Sequence, residues 1–390
     1  MLTSEKIVKQ ESDQTSDANH SKRNYGIDLL RVVSMLYVVI LHTLGQGGVL
    51  NAAKNGSIQY HVGWFMEVWA YGAVDIFALI SGYVAYSPNA KKTNYSKIIT
   101  LWFQVIFYSL GVALVYRLLD PELVPISQIV RLSFPFTNGL YWYFTAYIGL
   151  FLVMPVLNAG IQRCSEQLLS KLFVLIILVV TVSNLCGSHF TLNSGYSAMW
   201  LIFLYILGAS MKKCSIGEHV KWYQAILGIL LCTVIAWAWK MHGVKVELTS
   251  KITISKSMFV SYTSPTVLIA AIFHVILFSK LRFKNLSQKI IAFMGAGSFS
   301  VYILNCQKCI WNYFIKKRFS YLGKGNPVVL IIHTLAFSLA FVICSVLIDF
   351  VRRWLFEGFQ VNRIADRIVA IVDKVISFPL ARKRAREEEA

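Results

Sequence analysis

Long apolar segments separated by short polar ones dominate the chain from residue 27 onward. Ten of them lie near residues 27–44, 64–86, 98–119, 140–158, 168–186, 197–211, 222–239, 258–279, 290–314 and 328–350. Most approach the ~20 residues that a helix needs to cross a lipid bilayer. Since a single apolar segment can satisfy its own backbone hydrogen bonds inside a bilayer only as a helix, the pattern predicts an all-α, polytopic bundle of about ten transmembrane helices.

The two ends of the chain differ from this membrane domain, which the pattern bounds at residues 25–351. Residues 1–24 are polar and lack the apolar core of a signal peptide, so we expect a disordered cytosolic tail. Through residues 352–380, apolar side chains recur at helical spacing with charges between them, which predicts an amphipathic helix on the membrane surface. Residues 381–390 form a charged tail.

Composition and charge agree with a membrane protein. Hydrophobic residues make up 56% of the chain and charged residues only 15%, against about 25% charged in ordinary soluble proteins. The net charge of +19 would suggest nucleic acid in a soluble protein, but cationic loops explain it here and no nucleic-acid partner is expected. Most lysines and arginines fall in the tails and loops on the same side of the membrane as the N-terminus. In a bacterial plasma membrane this distribution predicts that both termini are cytosolic. The basic segments 240–256 and 316–324 run against that orientation.

The first apolar segment carries three ionisable side chains on one face. Asp28 and Arg31 are one helical turn apart, and His42 follows eleven residues after Arg31, about 16 Å further along the helix. Met35 lies on the same face. Ionisable groups inside a bilayer are costly and usually functional. The alternative is an ion pair at the helix end and a buried histidine bonded to a neighbour.

The second apolar segment adds two carboxylates. Glu67 and Asp75 flank Tyr71 at four-residue steps, so all three share a helix face. Either carboxylate could orient His42 as a general base, or both could bond neighbouring tyrosine and tryptophan side chains. Cys306 and Cys309 form a CxxC pair inside an apolar segment without companion ligands, so no metal site is predicted.

The spacing of Arg31 and His42, preceded by Asp28, resembles the first helix of acyltransferase family 3, multi-pass enzymes that O-acylate cell-surface sugars. Three further segments resemble motifs of that family in the same order: GAVDIFALISGYV (72–84), NGLYWYFTAYIGLFLVMPVL (138–157) and GAGSFSVYILN (295–305). The likeness extends from residue 25 to about 350. The chain departs from the family where Asn305 replaces a usual histidine, and where lysines stand in place of arginines after the second segment.

The resemblance implies an acyl donor, commonly acetyl-CoA, that enters from the cytosol, and an acceptor hydroxyl on a surface glycan or a lipid-linked sugar at the outer side. It makes His42 the central catalytic candidate, together with Arg31, Asp75 and Glu67. The candidates for substrate binding are Asp28, Tyr141, Trp142, Tyr302, Asn305 and His333, and those for the donor are Lys91, Lys92, Lys97 and Ser81.

Several of these assignments have a second interpretation. Tyr141 and Trp142 suit a sugar ring but also an interfacial aromatic belt, and Ser81 belongs to an SGY motif that suits helix packing. By depth along their helices, Asn305 and His333 fall in the same outer layer as His42. One alternative to the acyltransferase is a transporter or amino-acid uptake module on the same scaffold, in which the buried acidic and histidine side chains would relay protons or bind a small amino acid. Another is a catalytically inactive paralogue, because asparagine cannot act as a base.

Overall fold

The structure, a computed structural model, describes residues 23–87, 94–135, 141–187, 192–250 and 255–388. The predicted tail up to residue 22, the last two residues and the candidates Lys91 and Lys92 lie outside the described residues. Within the described ranges the regular structure is helical, without strands.

Each of the ten predicted segments overlaps one or two of the main helices, and one further helix follows them. They are α1 (Tyr25–Leu44), α2 (Ile58–Ala70), α3 (Ala73–Ala85), α4 (Ser96–Leu119), α5 (Trp142–Arg163), α6 (Glu166–Leu185), α7 (Ala198–Lys213), α8 (Trp222–Ser250), α9 (Pro265–Ser279), α10 (Asn285–Ala296), α11 (Ser298–Cys306), α12 (Pro327–Gly358) and α13 (Val361–Glu388). The pairs α2–α3 and α10–α11 each form one crossing with a short interruption. In the described part of the chain, eight helical stretches are long and apolar enough to cross a membrane. The predicted polytopic helical bundle is therefore confirmed.

The helix ends fall into two groups at opposite ends of the bundle. At the end where α1 begins, here called the N-terminal end, Asn24 caps α1 by accepting from the backbone N–H of Gly26 at 3.0 Å. Its amide also donates to the carbonyl of Ser279 at the end of α9, at 2.9 Å. At the other end, here called the distal end, the backbone N–H of Lys317 donates to the carbonyl of Gln46 at 3.0 Å. The start of α1 thus lies beside the end of α9, so these two helices run in opposite directions.

The surface of the outer helices is apolar, as contact with lipid hydrocarbon requires. On α6, the side chains of Leu175, Leu178 and Val182 are all more than half exposed. Leu339 and Leu347 of α12 are exposed to a similar degree. Exposure of this apolar surface to water would be unfavourable, whereas contact with the hydrocarbon of a bilayer is not.

Two glycines allow α3 and α7 to approach closely. A Cβ atom on Gly82 would lie 1.9 Å from the carbonyl oxygen of Tyr205, and one on Gly208 would lie 2.0 Å from the carbonyl oxygen of Leu79. Small residues at helix contacts in membranes permit such packing. The SGY motif therefore serves helix packing at its glycine.

We expect Gly82→Ala to destabilise the protein by about 1–3 kcal/mol, because the added methyl group must push the two backbones apart. Gly111→Ala in α4 is the matched control, since nothing lies within 4 Å of a Cβ atom there. Thermal unfolding in detergent measures both. Equal melting temperatures for the two variants would contradict the close approach.

The last crossing helix is longer than predicted. α12 continues through charged residues to Gly358, so the amphipathic helix α13 begins at Val361 and not at residue 352. The charges are tolerated because Asp349, which is fully buried, pairs with Arg352 at 2.9 Å. The same carboxylate accepts from Tyr108 at 2.8 Å and from Gln104 at 3.2 Å. These bonds join α12 to α4.

Candidate active site

His42 lies in the last turn of α1, where its half-buried side chain lines a cavity. The cavity has walls from α1, α3, α5 and α11, and it contains about 510 Å³ of empty space, its opening included. Its other lining residues are Met35, Val38, Leu41, Ala73, Val74, Phe77, Trp142, Tyr143, Tyr262, Phe299, Tyr302 and Cys306. An aromatic, mostly apolar cavity with a few polar groups is the usual form of a small-molecule site.

The imidazole of His42 is bonded to Asn305, the residue that replaces the family's histidine. Nδ1 of His42 contacts Oδ1 of Asn305, which is fully buried. Because an amide oxygen only accepts hydrogen bonds, Nδ1 carries the proton and Nε2 keeps its lone pair. The two residues thus lie in one layer of the bundle, as their equal depth in the two helices predicts. The neutral ring is therefore in the tautomer that can receive a proton at Nε2.

The carboxylates of α2 and α3 do not orient His42. Asp75 is fully buried, but its Oδ1 accepts from the indole N–H of Trp200 on α7 at 2.9 Å. Glu67 lies beside Lys240 of α8. The expected contact of either carboxylate with His42 is thus wrong, because both side chains leave their helices toward α7 and α8. The alternative, a bond to a neighbouring aromatic side chain, is observed for Asp75.

Arg31 and Asp28 form the predicted ion pair near the N-terminal end. Asp28 is buried and accepts from Arg31 at 2.7 Å and from Arg23 at 2.5 Å. Two guanidinium groups thus share one carboxylate, which leaves one positive charge in excess. Met35, from the same face of α1, lines the cavity between Arg31 and His42. The predicted stripe therefore connects a cationic end with the imidazole.

The aromatic candidates divide into cavity residues and a buried helix contact. Trp142 and Tyr302 both line the cavity, and the ring of Trp142 stacks on Tyr262 with centroids 6.1 Å apart. Tyr141 is only 1% exposed and its hydroxyl bonds to that of Ser109 on α4 at 2.9 Å. Tyr141 is therefore buried between helices and cannot offer a surface platform to a sugar.

Three further candidates lie away from the cavity. His333 is exposed near the start of α12, where its Nδ1 lies 3.3 Å from the hydroxyl of Tyr321. Its predicted depth is compatible with the distal end, but it does not line the His42 cavity. Ser81 donates to the carbonyl of Phe77 within α3 at 3.0 Å. Lys97 is exposed at the start of α4, at the N-terminal end.

Trp311 contacts His42 and was missed by the sequence analysis. Its ring meets the imidazole edge to face, with centroids 4.6 Å apart. It lies on a π-helical turn (Ile310–Ile315) that follows a break at Gln307, a feature often found at functional sites. The continuous crossing predicted for 290–314 is therefore wrong at its distal part.

The break at Gln307 is stabilised by the buried side chain of this residue. Its Oε1 accepts from the backbone N–H of Cys309 at 2.6 Å and of Ile310 at 3.2 Å. Its amide donates to the carbonyl of Ser109 on α4 at 3.2 Å. These bonds satisfy backbone groups that the interrupted helix leaves open. A glutamine in an apolar segment was the available sequence signal.

Comparison with known families shows the family of the chain. The model of the acyltransferase domain of acyltransferase family 3 matches residues 24–350. The chain belongs to this family. The match begins just before α1 and ends within α12, so it includes every helix that lines the His42 cavity. The activity of this family member is acyl transfer. None of the curated proteins and none of the solved structures compared with the chain matches it.

We expect Asn305→Leu to lower acyl transfer by about 10- to 100-fold, because losing a buried hydrogen bond costs about 1–3 kcal/mol and leaves His42 free to rotate. Asn305→His is the matched control, since an imidazole nitrogen can accept from Nδ1 of His42 and so should keep most of the rate. Initial rates of acyl transfer give both values. An unchanged rate for Asn305→Leu would show that this contact does not hold His42 for the reaction.

Proposed function

We propose that the protein is an integral membrane O-acyltransferase that moves an acyl group, in the simplest case acetyl, from acyl-CoA to a hydroxyl of a cell-surface glycan or lipid-linked sugar. The observation that carries the proposal is the His42 cavity, where Asn305 holds Nδ1 and leaves Nε2 able to accept a proton. Membership of the family supports acyl transfer in general. The donor, acceptor and ester product are our inference.

In the proposed reaction, Nε2 of His42 takes the proton of the acceptor hydroxyl as its oxygen adds to the thioester carbonyl carbon. The carbon–sulfur bond then breaks, and His42 returns the proton to the departing thiolate of coenzyme A. The products are an acyl ester and the free thiol, and His42 is neutral again. Asn305 keeps the imidazole in one tautomer and orientation through the cycle.

The proposed donor side is the N-terminal end of the bundle, which we assign to the cytosol of a bacterium from the distribution of basic residues. Arg31 contributes a partly exposed guanidinium there, and Lys97 an exposed ammonium group. Both suit the phosphates of an acyl-CoA. The acyl arm would then pass along α1 beside Met35 to His42.

The proposed acceptor side is the distal end. Trp142 is the first residue of α5 at this end, and its ring stacks on Tyr262, so the wall of the cavity toward the distal end is aromatic. Flat aromatic faces suit the apolar faces of sugar rings. Transfer at this end would place the ester on the outer side of the membrane, while the donor is used from the cytosolic side.

The experiment is to purify the protein in detergent, add acetyl-CoA and follow binding together with the slow release of free coenzyme A by chromatography. We expect binding and a release rate above that of buffer, with water as the acceptor. Binding without release would indicate a catalytically inactive paralogue. Failure of folded protein to bind any acyl-CoA would overturn the proposal, and uptake of a small solute by vesicles containing the protein would then favour a transporter.

A further inference from the structure

Tyr143 has a buried hydroxyl group that the fold does not use. The residue lies in the first turn of α5, is 5% exposed, and lines the same cavity as His42. Its hydroxyl oxygen has no hydrogen-bond partner in the described part of the chain. Buried polar groups are nearly always paired, and leaving one unpaired costs about 1–3 kcal/mol. This cost needs an explanation.

The ring of Tyr143 is fixed, so the hydroxyl cannot easily turn to find a partner within the protein. Its backbone N–H donates to the hydroxyl of Tyr302 at 3.2 Å. Its ring packs edge to face against Phe77 and against Tyr302, each with centroids 5.8 Å apart. Tyr147, one turn later, stacks against it at 6.4 Å. The position of the O–H donor is thus set before any substrate arrives.

Two other polar groups of the cavity wall are already hydrogen-bonded within the protein. Nδ1 of His42 is bonded to Asn305, and the hydroxyl of Tyr302 accepts from the Tyr143 backbone. Asp75 lies within electrostatic range of the Tyr143 hydroxyl, and its Oδ1 accepts from Trp200, while its Oδ2, like the Tyr143 hydroxyl, has no hydrogen-bond partner in the described part of the chain. Tyr143 is therefore a preorganised donor without a partner of its own, in the wall that also presents the base.

We propose that the hydroxyl of Tyr143 donates a hydrogen bond to the carbonyl oxygen of the thioester. This inference rests on the proposed function and adds a catalytic residue to it. When the acceptor oxygen adds to the carbonyl carbon, negative charge collects on the carbonyl oxygen. A donor fixed in advance stabilises that charge more than it stabilises the ground state. Tyr143 gives up no proton and returns unchanged when the carbon–sulfur bond breaks.

The test is Tyr143→Phe, which removes one oxygen atom and leaves the ring packing in place. We expect kcat for acetyl-CoA turnover to fall about 10²- to 10³-fold, the usual loss for one such donor, with little change in KM for acetyl-CoA. The melting temperature should equal or exceed that of the unmodified protein, because an unpaired buried hydroxyl has been removed.

Tyr205→Phe is the matched control. Tyr205 is fully buried on α7, and its hydroxyl donates to Asn158 at 2.5 Å. Because this hydroxyl is bonded within the fold, its loss should lower the melting temperature while the rate of the folded fraction stays unchanged. The two variants thus predict opposite patterns of stability and rate.

Two results would overturn the role of Tyr143: an unchanged kcat in Tyr143→Phe, or a loss of stability like that of Tyr205→Phe, which would reveal a structural partner. The role of His42 as the base is tested separately by His42→Ala. An inactive His42→Ala beside a fully active Tyr143→Phe refutes only the Tyr143 inference. Full activity in both variants refutes the roles of both residues, whereas the proposed function fails only if the folded, unmodified protein does not bind any acyl-CoA.

Discussion

Replacing His42 with alanine is expected to lower acetyl-CoA turnover by about 10²- to 10⁴-fold, the usual contribution of a positioned general base. The expectation follows from the tautomer set by Asn305, which leaves Nε2 as the proton acceptor in the cavity. The melting temperature of the alanine variant is measured beside its rate, because the change also removes the bond to the buried Asn305. Initial rates of coenzyme A release at saturating acetyl-CoA measure the effect.

His219→Ala is the control for this experiment. His219 is exposed in the segment between α7 and α8, at the N-terminal end of the bundle and outside the cavity wall. It should keep the full rate, so that any loss in His42→Ala reflects the position of the imidazole and not the loss of a histidine as such. A fully active His42→Ala would mean that another group accepts the proton.

Asp349→Ala is expected to destabilise the protein by about 3–5 kcal/mol, the cost of leaving one partner of a buried ion pair unpaired. Asp349 is fully buried and Arg352 is 7% exposed, so solvent cannot replace the lost carboxylate. Tyr108 and Gln104 on α4 would lose their acceptor as well. The contact between α4 and α12 should therefore loosen first.

Thermal unfolding in detergent measures this change. Asp366→Ala is the matched control, because Asp366 is an exposed acidic residue on the next helix, α13, and its loss should leave the melting temperature nearly unchanged. If Asp349→Ala and Asp366→Ala had the same melting temperature, the buried charges at the end of α12 would not contribute to stability.

The positions of the apolar helices were predictable from the sequence, because a bilayer demands apolar helices of a minimum length, and eight helical stretches reach that length in the described part of the chain. The internal breaks were not, since hydropathy does not record where a helix is interrupted. Gln307 ends α11 with its own side-chain bonds inside an apolar segment. The length of α12 was also missed, because Asp349 and Arg352 resemble a water-facing boundary until their pairing inside the bundle is known.

For the candidate site, the sequence predicted the depth of each residue along its helix but not the direction in which its side chain faces. Equal depth in two helices placed Asn305 beside His42 correctly. His333 shares the distal end but is exposed beside Tyr321 instead of facing the cavity. Asp75 likewise turns toward Trp200 of α7. Facing directions depend on which helices become neighbours, and the sequence pattern of a single helix does not contain that information.

The most direct test of the account follows the acyl group itself. Membrane vesicles that contain the protein would receive acetyl-CoA labelled in the acetyl group, beside vesicles with the His42→Ala variant, and their glycan and lipid-linked sugar fractions would be counted. The account predicts label in one of these fractions with the unmodified protein only, released by mild base as expected for an ester. Two results would contradict this expectation. One is label that stays on coenzyme A, and the other is label in these fractions that resists mild base, as an amide does.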